Sequence, residues 1–238
     1  MRRFYAPPEN FHDETVSLNT DETRHLRDVL RLRENETVQV FDGDGREFSC
    51  RIEKIKKAET VLEILGKISP SAPVSNLNLT LAVAILKGEK FDLVVQKSVE
   101  LGVSTFIPIT TKRTDVKLKE FDKRQTRWQK IALEAAKQCG RADLMKIEEP
   151  LSFEQFLPTA EGAKILFAER GGEAFSKIKK DKKITAVIGC EGGWEDSEIE
   201  LAKTRHFQIV TFGGRILRAE TAAISIAAIL QHRFGDFN

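Results

Sequence analysis

The feature that most constrains this chain lies in its last fifth. Two segments, Ile188-Gly189-Cys190-Glu191-Gly192-Gly193 and Phe212-Gly213-Gly214-Arg215-Ile216-Leu217-Arg218-Ala219-Glu220-Thr221-Ala222, share one design. Each ends an apolar, strand-like run in glycines and restarts as a helix. In α/β sheets, ligands bind at the carboxyl ends of strands. Glycine at such an end lets the backbone approach the ligand. The pair therefore predicts the walls of one cofactor pocket. Its spacing is neither GxGxxG with a later acidic residue nor GxxxxGK[ST], so the usual dinucleotide and triphosphate readings lack their motifs.

The rest of the chain supplies a scaffold for such a pocket. Apolar runs at Leu79–Leu86, Thr105–Ile109, Lys164–Ala168, Ile184–Gly189 and Gln208–Phe212 read as buried parallel strands. Helices fit between them. Phe91, Val94, Val95 and Val99 share one helical face, and Trp128, Ile131, Ala135 and Cys139 another. Ala222, Ala223, Ile226, Ile229 and Leu230 form a broad stripe on the last helix. This alternation predicts a mainly parallel sheet covered by helices.

A boundary falls at residues 69–76, where two prolines and three serines interrupt both periodicities. Before it the pattern is short strands. Val38–Phe41, the turn Asp42-Gly43-Asp44-Gly45 and Glu47–Ile55 read as a hairpin, with a further strand over Val61–Ile68. A helix is expected over residues 21–33, with Leu26, Val29 and Leu30 on its apolar face and Arg24, Arg27 and Arg31 opposite. Residues 1–70 thus read as a small β-rich or β-barrel domain, 71–76 as a linker and 77–238 as the α/β domain.

Composition excludes several classes. No run of 18 or more apolar residues exists to span a membrane, and the N-terminus lacks the apolar core of a signal peptide, so cytoplasm is expected. Three scattered cysteines argue against a disulfide framework, and no zinc spacing appears, so no metal is expected. The formal net charge is only +2, but residues 111–146 hold 11 basic and 5 acidic side chains. Such local excess attracts phosphate, although a solvated helix face reads the same way.

Glu191, bracketed by glycines, suits hydrogen bonds from a ligand hydroxyl or amine; capping nearby amides is its bland role. Asp196 or Ser197 is expected to cap the next helix. Arg218 and Glu220 flank the start of the last helix, where they either meet the ligand or pair with each other while Thr221 caps.

The string from Ile188 to Gly193, followed by Gly213-x-x-Ile216-Leu217-Arg218-x-Glu220-Thr221-Ala222, resembles the signature of the RsmE family, the bacterial 16S ribosomal RNA uridine-N3 methyltransferases of the SPOUT superfamily. Further blocks resemble the family in order: Arg24-His25-Leu26-x-x-Val29-Leu30-Arg31, Lys87-Gly88-x-Lys90, Gln96-Lys97-x-x-Glu100-Leu101-Gly102 and Ala135-x-x-Gln138-Cys139-Gly140-Arg141. The departures are Cys190, where the family usually has proline, and Glu195, where it has serine.

The resemblance implies a SPOUT-type trefoil-knotted α/β methyltransferase domain behind a PUA-like RNA-binding barrel. It implies S-adenosyl-L-methionine as cofactor, a homodimer, and 16S ribosomal RNA in the small subunit as partner. The expected cofactor residues are Leu166, Gly189, Glu191, Gly192, Gly193, Phe212, Gly213, Ile216, Leu217, Arg218, Glu220, Thr221 and Ala222. Candidates for the chemistry are Glu100, Lys97, Arg141, Gln138 and Glu220, with an exposed Lys97–Glu100 ion pair as the alternative. Arg2, Arg3, Arg24, His25, Arg27, Arg31, Lys87, Lys90 and Arg141 are the expected RNA contacts, with His25 equally suited to packing.

Overall fold

The computed structural model describes residues 2–115 and 121–237. They group into two compact units, Met1–Val74 with Leu133–Leu144, and Ser75–Ala132 with Met145–Asn238. A late segment, Leu133–Leu144, thus belongs with the N-terminal strands.

The first unit holds β1 (Arg3–Tyr5), β2 (Phe11–His12), β3 (Thr15–Leu18), α1 (Thr20–Arg24), β4 (Thr37–Phe41), β5 (Glu47–Ile55) and β6 (Thr60–Ile68). They form a six-stranded sheet in the order β1-β4-β5-β6-β3-β2, curled around Phe4, Val16, Leu18, Leu26, Val40, Ile52 and Leu62. The expected hairpin is β4–β5, with Phe41 opposite Glu47. Gly43 and Gly45 take the left-handed φ of +86° and +94° that its turn requires. Asp42 Oδ1 fastens the turn by accepting from the amides of Asp44 (2.9 Å) and Arg46 (3.0 Å).

Two expectations fail among its N-terminal residues. The helix over 21–33 is α1 followed by one π turn, His25–Val29, closed by Leu30 N–H donating to the His25 carbonyl at 3.0 Å. The wider turn breaks the 3.6-residue periodicity. Leu26 is buried, but Val29 is 66% exposed, and Arg31 lies beyond the helix at φ +53°. Arg3, expected on RNA, is buried with its partner Glu47, 2.7 Å away. Its guanidinium also donates to the carbonyls of Ala136 (3.0 Å), Gly140 (3.3 Å) and Arg141 (2.8 Å). A cation there suits the carbonyl-rich end of a helix, and its side chain, wholly buried, is closed to phosphate.

The second unit holds β7 (Asn78–Ala84), α2 (Glu89–Glu100), β8 (Thr105–Thr110), the first part of α3 (Phe121–Cys139), β9 (Lys146–Ile147), β10 (Leu151–Ser152), α4 (Phe153–Phe156), β11 (Ala163–Ala168), β12 (Glu173–Ala174), β13 (Lys183–Ile188), α5 (Asp196–Thr204), β14 (Gln208–Thr211) and α6 (Ala219–Phe234). Its eight-stranded sheet is parallel throughout, ordered β10-β8-β7-β13-β11-β14-β12 with β9 on β8. The five expected strands are the five central ones. On α2 the predicted face is buried whole: Phe91, Val94, Val95 and Val99 are at most 1% exposed. On α3 the buried face is turned by one residue, to Trp128, Ala132, Ala135 and Ala136, while Ile131 and Cys139 are half-buried.

Candidate active site

Strands β13, β11 and β14 are neighbours in register, Phe167 pairing with Ile188 and Val210, and Ala168 with Thr211. Their carboxyl ends therefore lie side by side, and the loops that leave them enclose a cleft of about 490 Å³. Its walls are Phe167–Glu169 after β11, Ile188–Trp194 after β13, and Phe212 with Arg215–Ala219 after β14. Ala222 and Ile226 of α6 and Lys90 of α2 complete it. Most of this lining is apolar, with carboxylates and cations at particular points, the usual make-up of a small-molecule site.

Two glycines of the first loop are dictated by what they touch. A Cβ on Gly189 would stand 3.0 Å from the Trp194 ring, whose Nε1 donates to the Phe167 carbonyl at 2.9 Å. Gly193 has φ +70°, and a Cβ there would meet Glu169 Oε1 at 2.9 Å. The loop thus packs its own tryptophan on one side and a wall carboxylate on the other.

Charge concentrates at Lys90. Its Nζ lies 3.2 Å from Glu191 Oε1 and 4.0 Å from Glu220 Oε1. Glu220 Oε2 is buried and has no hydrogen-bond partner among the described residues. A buried acceptor left unpaired is costly in a finished fold, so it marks a place where a ligand donor fits. Of the two readings of Arg218 and Glu220, mutual pairing is not found; Glu220 faces Lys90 instead. Thr221 is exposed in the first turn of α6 and does not cap it; the N-cap is Arg218, without a side-chain bond. Likewise α5 is capped by Glu195 rather than Asp196 or Ser197, and the Glu198 carboxylate accepts from the amide of Glu195 at 3.0 Å.

The loop after β8 clamps the first glycine loop, and no motif in the sequence marks it. Thr111 Oγ1 donates to Cys190 Sγ (3.6 Å), and Arg113 Nη1 donates to the Gly192 carbonyl (2.8 Å). The Lys112 amide donates to Glu198 Oε1 at 3.0 Å. Cys190 is buried in this clamp, where the family's usual proline would leave Thr111 without that acceptor.

The expected residues distribute unevenly. Gly189, Glu191, Gly192, Gly193, Phe212, Ile216, Leu217, Arg218 and Ala222 line the cleft; Gly213, Glu220 and Thr221 do not, Glu220 standing beside it against Lys90. Leu166 is corrected: its side chain is fully buried in β11, and the next two residues, Phe167 and Ala168, face the cleft. Lys90, expected on RNA, is a cleft residue. Phe167, Glu169, Trp194 and Arg215 were missed, because only the register of three parallel strands aligns their loops.

Among the chemistry candidates, Lys97 Nζ lies 2.9 Å from both Glu100 oxygens, a part-exposed pair outside the cleft lining, as the alternative ion-pair reading had it. Gln138 and Arg141 belong to the first unit. Arg141 is 6% exposed and paired with Asp143 at 2.6 Å, so burial removes it from the phosphate contacts. Of the remaining RNA candidates, Arg2 pairs with Glu36 at 2.8 Å. Arg24 and Arg31 are exposed. Arg27 forks onto Asp28 at 2.6 and 2.7 Å, and His25 is half-buried edge-on to Phe4. Among the described residues no group of side chains could hold a metal ion, and no helix is long and apolar enough to cross a membrane.

The comparisons with known proteins agree with this geometry. Residues 73–231 match the RNA methyltransferase domain family, and residues 18–65 match the RNA methyltransferase PUA domain. Fold and cleft thus define an RNA methyltransferase. The chain is 34% identical to ribosomal RNA small subunit methyltransferase E of Synechocystis over 95% of its length and 76% of the relative's. It is 36% identical to the protein of the same name from Mesomycoplasma hyopneumoniae, covering 94% and 96%. A crystal structure of ribosomal RNA small subunit methyltransferase E from Neisseria gonorrhoeae bound to S-adenosyl methionine superposes with a TM-score of 0.92 at 34% identity, covering 100% of both chains. A methyltransferase from Legionella pneumophila in complex with the same cofactor gives 0.91 at 33%, covering 99% and 98%. The chain belongs to the ribosomal RNA small subunit methyltransferase E family.

Proposed function

We propose that this protein uses S-adenosyl-L-methionine to methylate N3 of a uridine in 16S ribosomal RNA, within the small subunit and as a homodimer. The observation that carries the reading is the glycine-walled cleft with Lys90 between Glu191 and Glu220, one of whose oxygens is unpaired. The cleft fits the cofactor: an apolar lining for its adenine and methylenes, backbone at the two loops for its ring nitrogens, and carboxylates for its ammonium. When bound, the cofactor supplies an electrophilic methyl group. The chain's own part is mostly positioning, which can supply about 7–11 kcal/mol of a barrier. Glu191 and Glu169 on the cleft wall and Glu220 beside Lys90 are the carboxylates able to accept the N3 proton, whereas Glu100 is tied to Lys97. Lys90, with Arg215 and Arg218 on the same cleft, supplies positive charge able to stabilise a uracil oxygen. N3 lies on the Watson–Crick edge, so the target is unpaired or flipped.

The proposed division of labour gives RNA docking to residues 1–70 and transfer to 77–238, across the linker 71–76; the two family matches support it. The order β7-β13-β11-β14, in which the chain passes from one side of β11 to the other, supports the knotted threading.

The test is transfer from methyl-labelled cofactor to unmethylated small subunits and to naked ribosomal RNA, followed by nucleoside chromatography. Label in 3-methyluridine is expected. Label in another nucleoside overturns the acceptor, and cofactor binding without transfer to either RNA overturns the substrate.

A further inference from the structure

A second cleft, of about 510 Å³, adjoins the first and has a different character. Lys87, Lys90 and Arg113 line it with Asp115, Glu191, Gly192 and Ile85. Lys90, Glu191 and Gly192 are common to both clefts, so these residues form the wall between them. The glycine matters to that wall. A Cβ on Gly192 would meet the Arg113 Cβ at 3.0 Å, so the missing side chain lets Arg113 lie along the wall.

We propose that this basic cleft is the subsite for phosphates of the single-stranded RNA that carries the target nucleotide, with Lys87 and Arg113 as its phosphate-binding residues. The inference rests on the methyltransferase reading and adds the position of the RNA strand. Three cations face two carboxylates, leaving the cleft net positive. Both carboxylates are already committed, Asp115 to Lys87 at 2.6 Å and Glu191 to Lys90 at 3.2 Å. The Lys87–Asp115 pair is open to solvent at 66% and 71% exposure, so water and salt screen it and a phosphate can displace the carboxylate. Arg113 uses one guanidinium nitrogen on the Gly192 carbonyl at 2.8 Å, and its Nε stands 3.8 Å from Glu195. Its planar fork keeps further donors for a phosphate. An anion held here lies beside the cofactor cleft, with Lys90, Glu191 and Gly192 bordering both. Neither Lys87 nor Arg113 belongs to the lining of the first cleft, so this anion site has cations of its own.

The test measures binding of a labelled single-stranded RNA to the full-length protein across a salt series, with cofactor affinity measured in parallel. Lys87→Ala and Arg113→Gln should each weaken RNA binding roughly five- to tenfold. Each should also flatten the slope of log affinity against log salt by about 0.7. Cofactor affinity should hold for Lys87→Ala. Lys203→Ala, a charge removed from exposed α5, should change neither. RNA binding by both variants that matches wild type, or that falls no more than for Lys203→Ala, overturns the subsite. So does a loss confined to cofactor affinity. If wild type methylates ribosomal RNA while the variants bind it normally, only the subsite fails. If wild type transfers no methyl group but the variants lose RNA affinity, the activity fails and the subsite stands.

Discussion

Substituting Gly193 by alanine separates the strain of a backbone from its service to a ligand. Gly193 sits at φ +70°, closed by its amide donating to the Cys190 carbonyl at 3.0 Å. An L-residue in that region costs about 1–2 kcal/mol. The added methyl carbon would also stand 2.9 Å from Glu169 Oε1 and 3.2 Å from its Cδ, so either the carboxylate or the loop must shift. Both line the cleft proposed for the cofactor. Gly45 is the control: its φ is +94°, nothing lies within 4 Å of its Cβ, and it belongs to the β4–β5 turn in the other unit. Each variant should lose about 1–2 kcal/mol of stability, lowering Tm by roughly 2–8 °C. Only Gly193→Ala should weaken S-adenosylmethionine binding, by about tenfold, equivalent to 1.4 kcal/mol. Titration calorimetry reads the affinity and differential scanning calorimetry the stability. Wild-type affinity in a Gly193→Ala protein that is destabilised like Gly45→Ala would refute the reasoning.

Other outcomes follow from the same geometry. Glu220→Gln removes a carboxylate with one unpaired buried oxygen, so cofactor affinity should fall roughly 10- to 150-fold while apo stability changes by less than about 1 kcal/mol; an unchanged dissociation constant would remove Glu220 from the site. Burial pushes the Cys50 thiol up to about 12, so alkylation at pH 8 should label half-buried Cys139 and spare Cys50 until the protein unfolds, as mass spectrometry will show; rapid labelling of native Cys50 contradicts this. Burial also raises Glu22 above its ordinary 4.5, against the opposing pull of Lys137. The native state then binds the extra proton, so this group's contribution falls as pH rises from the ordinary value through the raised one. Glu22→Gln should abolish that part of the pH dependence of urea midpoints, and an identical pH profile for variant and wild type would contradict it.

The central sheet was legible because a buried parallel strand is an apolar run with marked ends, and β7, β8, β11, β13 and β14 all have that form. The two loops that wall the cleft were legible because glycines interrupt those runs at the carboxyl end. Three other features were hidden for physical reasons. The π turn at His25–Val29 follows from tertiary packing and leaves no periodic mark, so a regular helical wheel puts Val29 on the wrong face. Arg3 reads as a surface cation until carbonyls of residues 136–141 arrive from far along the chain. The basic cleft joins the ends of β7 and β8 to the loop after β13, and only strand order brings Lys87, Arg113 and Gly192 together.

The most direct measurement of the central claim is photo-crosslinking of radiolabelled S-adenosylmethionine, with the labelled peptides mapped by mass spectrometry. The account predicts label within residues 188–194 and 212–222, diminished in Gly193→Ala at a cofactor concentration near the wild-type dissociation constant. Label confined to the first unit, or label in these peptides that Gly193→Ala leaves undiminished, would contradict it.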